Sequence, residues 1–322
     1  MDADALTHPT DTEVAAHALA EAASAAGYAP SILNTQPWRW RLTAGTLELR
    51  LVPDRILRVT DPDGRLATLS CGVALHHARI ALAAQGWHAA VTRMPPGGGS
   101  DLLARLHIEG RAPIDPASAL HLRTVPLRHT DRRPVAGTPV DPADLAAIAT
   151  AVRAQHTELH ELRPDQVIEL AAAADHAQRS EAADPAWQTE LAYWTGGSRP
   201  AGSGVPDTVI PERNTQTTVP GRDFGHHGEL AVSAGHDKAA VFVMLYGLDD
   251  EPAGWLTATE LGVSVLPHSA PIEVIATRQA MRAMIASVGY PYLVLRLGTT
   301  DPADTAASHT SRLPAEQIID HA

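Results

Sequence analysis

An α+β protein, with two mixed sheets flanked by helices, is what this 322-residue sequence predicts. Three observations carry the expectation. Ala-rich segments with capping signals alternate with short strands of alternating or apolar character. Two such strands, Trp38 to Leu42 and Leu47 to Val52, stand close enough to pair as a hairpin. Finally, Ala78 to Pro95 and Thr257 to Pro271 echo each other, both running helix, glycine, short apolar strand, proline. The echo suggests duplication of a larger unit, and the lack of any short-period repeat excludes solenoids and propellers.

Thr10 and Glu13 form a capping box before a helix over Val14 to Ala26, which Gly27 ends. A polar loop, Tyr28 to Trp38, leads into the hairpin. The next helix is expected over Ser70 to Gln85, closed by Gly86, followed by a strand at Ala89 to Arg93, a Pro-Pro-Gly-Gly-Gly turn and a strand at Leu102 to Glu109. Pro126 to Pro139 is polar and arginine-rich. Asp141 then caps a helix with Pro142 at its first position, running to Ala154. The boundary between halves is placed near residue 120, giving units 1–120 and 121–322. Helices follow at Asp165 to Glu181 and Pro185 to Trp194. Gly196 to Gly228, rich in Gly, Pro and Thr without a sustained period, reads as a lid or a mobile loop. The remaining elements are a strand at Ala240 to Tyr246, helices at Trp255 to Leu261 and Arg278 to Ser287, a strand at Tyr292 to Leu297, and an extended polar tail. Pro252 to Gly262 has room for about 15 Å of helix where Ser70 to Gln85 spans roughly 24 Å, so the two echoing units are unequal here.

The net charge of −12 argues against nucleic acid as a partner, since backbone phosphates demand massed Lys and Arg. In so acidic a chain the cluster Arg128, Arg132 and Arg133 marks a local anion site. One cysteine, Cys71, excludes an internal disulfide framework and fits a reducing compartment. The N-terminus lacks a signal-peptide pattern and no apolar run approaches the roughly 20 residues that span a bilayer, so a cytoplasmic location without membrane contact is expected. His76-His77, His226-His227 and His236 show no metal-ligand spacing, and no metal is expected. Neither a nucleophile elbow nor a phosphate-binding loop is present, so no side chain is assigned as catalytic.

Four segments carry the functional expectation. Ala29-Pro30-Ser31-Ile32-Leu33-Asn34-Thr35-Gln36-Pro37-Trp38-Arg39-Trp40 resembles the Pro-Ser-x-x-Asn-x-Gln-Pro-Trp signature of FMN-dependent nitroreductases, and its Asn-Thr-Gln-Pro-Trp-Arg-Trp variant resembles the Acg family of actinobacteria. Leu127-Arg128-His129-Thr130-Asp131-Arg132 is similar to the superfamily's Arg-x-Ser/Thr-x-Arg/Lys motif. Guanidinium forks with a hydroxyl donor suit a phosphate, while Arg133 has no counterpart. Thr310-Ser311-Arg312-Leu313-Pro314 resembles a Lys-x-Arg-x-Pro element, with Thr310 in place of the lysine. Glu260 to Pro271 looks like the loop beneath the flavin.

The resemblance implies a nitroreductase-like fold whose two halves form an internal pseudo-dimer in one chain, with further oligomerisation open. FMN would be held by Pro30, Ser31, Asn34, Arg128, His129, Thr130, Arg132, Pro267, Ser269, Ala270 and Arg312. The implied activity is two-electron oxidoreduction from NAD(P)H to a nitroaromatic or quinone-type acceptor. The alternative is an FMN-sequestering protein closed by its lid, with little turnover. Read from the residues alone, Asn34 and Gln36 could instead satisfy backbone groups in an ordinary turn.

Overall fold

The computed structural model describes residues 11–43, 45–135, 137–196, 199–215, 217–232, 237–247, 255–299 and 309–321. Thr10 of the expected capping box, His236, and the start of the 252–262 segment lie outside them.

The first sheet contains β1 (Trp38–Thr43), β2 (Thr46–Leu51), β3 (Trp87–Arg93), β4 (Leu102–Arg111) and β9 (Ile319–His321), in the order β3-β4-β2-β1-β9. Its antiparallel members alternate inward and outward side chains, and Trp40, Leu47, Leu49 and Leu106 are buried under the helices α1 (Asp11–Ala26) and α2 (Arg65–Ala84). The alanines of α1 let it lie close: Ala22, Ala23 and Ala26 are fully buried. By length and apolar composition α2 could cross a membrane, contrary to the expectation that no run came close, but its apolar face is part of this core. It begins at Arg65, earlier than expected, because Gly64 at φ 66° and the Asp61 carboxylate, which accepts from Ala67 N at 2.9 Å, supply the start. The next helix, α3 (Pro116–Thr124), is capped by Asp115 and contains residue 120, where the boundary between halves was expected.

The tail is a strand rather than a free extension. β9 runs parallel to β1, with Trp40 opposite Ile319, and Arg39 holds Asp320 at 2.5 Å. Its three residues carry too little periodicity to be read from the sequence.

The second sheet contains β5 (Glu158–Glu161), β6 (Val241–Gly247), β7 (Ser264–His268) and β8 (Tyr290–Gly298), ordered β5-β6-β8-β7. It was expected to be mixed, yet among the described residues its pairings are antiparallel throughout: even β5, which comes from far upstream in the chain, runs opposite to β6. Both faces are covered. Val243 and Leu245 of β6 pack with Ile148 and Val152 of α4 (Pro142–Arg153) and with Ala258 of α7 (Trp255–Glu260). Phe242 and Met244 pack on the other face with Leu170 of α5 (Pro164–Ala182), Ile272 of α8 (Ala270–Glu273) and Met281 of α9 (Ile275–Met284). A strand buried on both faces reads as a continuous apolar run, as Val241 to Leu245 does.

A smaller core, under the expected lid, joins α6 (Pro185–Thr195) to residues 199–232. Trp187, Leu191 and Trp194 of α6 meet Val205, Val209, Ile210 and Phe224, together with Leu33 and Leu57 from the segments before β1 and before α2. At its base the irregular segment is tied by Leu230 N to Ile210 O at 2.9 Å and Glu212 N to Leu230 O at 2.9 Å.

Candidate active site

A cavity of about 410 Å³ lies between the Pro-Ser loop, the arginine-rich loop, the turn after β7, the tail and the irregular segment. Its size falls in the roughly 300–1,000 Å³ range of small-molecule and cofactor sites.

The Pro-Ser loop is held in an unusual backbone shape. Leu33, Asn34 and Gln36 have φ of 44°, 55° and 49°, a left-handed region costly for side-chain-bearing residues. Hydrogen bonds over-determine it. Asn34 Nδ2 donates to Gly204 O at 3.0 Å and Ser311 O at 3.1 Å. Gln36 Nε2 donates to Gly202 O at 2.8 Å, and its Oε1 accepts from Leu313 N at 2.9 Å. Ser31 Oγ accepts from Gln36 N at 2.9 Å. The Asn-x-Gln pair thus clasps two segments distant in sequence, 202–204 and 311–313. Pro30, Ser31 and Asn34 all line the cavity, but the amide nitrogen of Asn34 already serves backbone carbonyls.

Arg128 and Thr130 reach the cavity from the loop after α3, and Arg312 from the tail. Burial, and then the charge of Arg312, bring the Arg128 guanidinium down to about 9. Burial brings Arg312 to about 10; its Nη1 donates to Thr310 Oγ1 at 2.6 Å, and its Nε has no hydrogen-bond partner. Arg132, also lowered to about 10 by burial and then by Arg222, sits elsewhere in the wall. Its Nη1 approaches Val209 O at 3.4 Å, and its guanidinium lies 5.4 Å from the centroid of the Phe224 ring. The expected trio therefore divides into Arg128 with Arg312 at one place and Arg132 beside the irregular segment at another. Arg133 is occupied by Asp131, at 2.8 Å.

His129 is the expected site residue that does not line the cavity. Its Nδ1 faces Leu127 O at 3.2 Å, and its ring packs edge-on against His309 with centroids 5.3 Å apart. Beneath the guanidinium pair lies His77, which burial, together with His76, Arg128 and Arg312, keeps neutral far below the usual imidazole range. Nothing in the sequence singled His77 out for this place, since adjacent histidines on a helix carry no positional signal.

Pro267, Ser269 and Ala270 line the cavity where β7 turns into α8. The arginine-rich loop is fixed to this sheet by Arg296, 1% exposed, which pairs with Asp237 at 3.0 Å and donates to Asp131 O at 3.0 Å. His268, between Pro267 and Ser269, is brought to about 3 by burial and by Arg296. From the irregular segment Arg222 and Phe224 complete the wall. Among the described residues no group of three or more His, Cys, Asp or Glu could hold a metal ion.

A cavity wall lined by Arg128, Arg132 and Arg312 favours an anion, because like charges gathered in a partly desolvated place repel one another and an anion relieves that repulsion. A hydroxyl donor at Thr130 and apolar surface from Leu266, Leu293 and Leu295 add room for an aromatic body beside that anion.

No family model matches the chain. Two Mycobacterium tuberculosis H37Rv proteins are similar over nearly their whole lengths. One, named "Putative NAD(P)H nitroreductase Rv3131", is 34% identical over 306 residues, covering 91% of this chain and 88% of the relative. The other, "Putative NAD(P)H nitroreductase acg", is 30% identical over 323 residues, covering 96% and 97%. A nitroreductase with bound FMN from Desulfitobacterium hafniense DCB-2 aligns over 63% of this chain and 98% of its own at 10% identity, with a TM-score of 0.37, too low to carry an argument about fold.

Proposed function

The chain belongs to the family of the mycobacterial NAD(P)H nitroreductase homologues that includes Acg, and from that premise we propose that it binds FMN in the cavity and acts as a two-electron oxidoreductase. The observation that carries the proposal is that the guanidinium-bearing side chains of Arg128, Arg132 and Arg312, the first buried and the other two half-buried, line one cavity together with the Thr130 hydroxyl.

The residues fit the cofactor. Arg128, Arg312 and Thr130 would hold the phosphate by charge-assisted hydrogen bonds, which a fork of N–H donors makes in pairs. Arg312 Nε, lacking a partner within the protein, is one such donor. Arg132 would balance negative charge at a second place on the bound group. Pro30 and Ser31 would approach it from the first half, and Pro267, Ser269 and Ala270 from the second. His129 would act from behind the wall. Bound there, the flavin supplies two-electron transfer between NAD(P)H and a nitroaromatic or quinone-type acceptor. The protein's part is anchoring, orientation and control of access.

In this reading the two sheets with their helices are the halves of an internal pseudo-dimer, 1–120 and 121–322, and the site lies in their seam. The exchange of β9 into the first sheet supports it.

A second reading is favoured by one observation. Val205, Val209, Ile210 and Phe224 anchor the lid in a core shared with α6, Leu33 and Leu57, an arrangement suited to a protein that sequesters FMN with little turnover. The visible spectrum of the purified protein, before and after anaerobic addition of NADPH, tests both. Flavin bands that bleach support the oxidoreductase, and bands that persist support sequestration. Protein that stays colourless after incubation with FMN and desalting overturns the proposal.

A further inference from the structure

The irregular segment is fastened over the cavity by one charged side chain. Arg222 reaches away from its own loop into a space between α5, α6 and α8, where its side chain is 11% exposed. There its Nη2 donates to Glu273 of α8 and, at 3.1 Å, to Ser269 Oγ, while Nη1 lies 3.8 Å from Glu181 Oε2 of α5. Its guanidinium stands 5.7 Å from the centroid of the Trp187 ring of α6. Glu181 and Glu273 have side chains only 4% and 2% exposed.

Two buried carboxylates thus share one guanidinium. Both Glu181 oxygens and Glu273 Oε2 lack a hydrogen-bond partner. A buried carboxylate oxygen without a donor is costly, and so are two like charges side by side. A proton held on Glu181 removes the repulsion and eases the other cost, since a neutral carboxyl can donate to Glu273 Oε2. Among the described residues the other charged groups facing the cluster do not supply a second counter-ion: Arg132, from the arginine-rich loop, acts on Arg222 by repulsion, and Asp61, from the turn before α2, is pushed up by burial, with a smaller rise from Glu273. Gln178 of α5, which donates to Gly221 O, is neutral.

We propose that Arg222 is the latch of the lid and the positioning residue for the Ser269 hydroxyl at the cavity wall, and that opening the latch hydrates Glu181 and releases its proton to solvent. When the lid lifts, Arg222 leaves with it, water reaches the two carboxylates, and Glu181 ionises as an ordinary exposed acid does.

The direction of the pH effect follows. Burial raises Glu181 to about 8, with Arg222 opposing the rise and Glu273 adding to it. The closed state therefore binds the proton more tightly than the open one, and closure is favoured at low pH. Between the pH at which an exposed Glu titrates, about 4.3, and about 8, opening becomes easier by up to tenfold per pH unit. Access to the cavity increases toward alkaline pH.

The latch is a property of the protein alone; only its effect on flavin exchange rests on the function proposed above. The test is hydrogen–deuterium exchange of residues 217–232 in the flavin-free protein from about pH 5 to 8, each rate divided by the intrinsic rate at that pH. Protection should fall with rising pH in the wild type, by up to tenfold per unit. Glu181→Gln, a fixed neutral mimic, should keep the lid protected and flatten the profile, and Arg222→Gln should lower protection at least tenfold at every pH. In FMN-loaded protein the release rate should follow the same profile. A flat wild-type profile, or an unchanged slope in Glu181→Gln, overturns the latch without bearing on whether flavin binds, and absence of flavin binding leaves the exchange test intact.

Discussion

Arg128 and Arg312, 184 positions apart in the sequence, meet in one cavity wall, where the charge of Arg312 adds to burial in lowering the Arg128 guanidinium to about 9. Two cations brought together out of water are stable only if something else in the fold compels it or an anion relieves it. Both contributions have measurable consequences.

Removal of either guanidinium should weaken FMN binding. Arg128→Ala or Arg312→Ala is expected to cost about 2–5 kcal/mol of binding free energy, the range for truncating one member of a buried charge pair. Riboflavin, which lacks the phosphate, should be little affected by either change. Calorimetric titration of each variant with both flavins separates the two cases, and tight FMN binding by the double variant would exclude this wall as the phosphate site.

Gln36 compels the meeting. Its side chain is fully buried and joins Gly202 O to Leu313 N, so it holds the lid's beginning and the tail against the first half. Gln36→Leu should destabilise the flavin-free protein by about 1–3 kcal/mol for each buried backbone group left unpaired. Urea unfolding measures it; a midpoint within error of the wild type contradicts the clasp.

Acid should destabilise the protein through His268. Its folded-state value of about 3, set by burial and then by Arg296, lies below that of an exposed imidazole. The unfolded chain therefore takes up the proton first. Stability from this group is fully present above about pH 6.5 and is lost progressively as pH falls toward the folded value, at up to about 1.4 kcal/mol per pH unit. His268→Leu should remove that part of the slope between pH 6.5 and 4.5. A slope identical to the wild type would place the acid sensitivity elsewhere.

Because Ser31 and Arg128 line one cavity within one chain, flavin retention should not depend on protein concentration. Light scattering coupled to flavin absorbance should find a monomer that keeps one flavin per chain on dilution. Dissociation of flavin in step with dissociation of a dimer would show that the site needs a second molecule.

What the sequence disclosed follows from how local each signal is. Asp141 with Pro142, and Pro185 after Asp184, mark helix starts by chemistry confined to a few neighbouring residues, and both helices begin at those prolines. Trp38 to Leu51 alternates clearly and forms the hairpin. β9 and β5 were invisible because three and four residues hold no period, and their pairing partners are remote. At the site, the resemblance in the Pro-Ser, arginine and tail motifs named residues that the fold brings to one cavity, except His129, whose ring turns to His309. The division of Arg132 from Arg128 and Arg312 could not be read, since spacing along a loop does not fix direction. Glu181 and Glu273 were also missed. A glutamate on a helix is ordinarily solvated, and only tertiary packing against Arg222 marks these two as buried.

The most direct test of the central claim is a titration of the flavin-free wild-type protein with FMN and, separately, with riboflavin at low ionic strength. With the phosphate held by Arg128 and Arg312, as proposed, FMN should bind at least about tenfold more tightly, a difference of about 1.4 kcal/mol. Equal affinities for the two flavins would contradict the account, leaving the cavity's cations without the anion assigned to them.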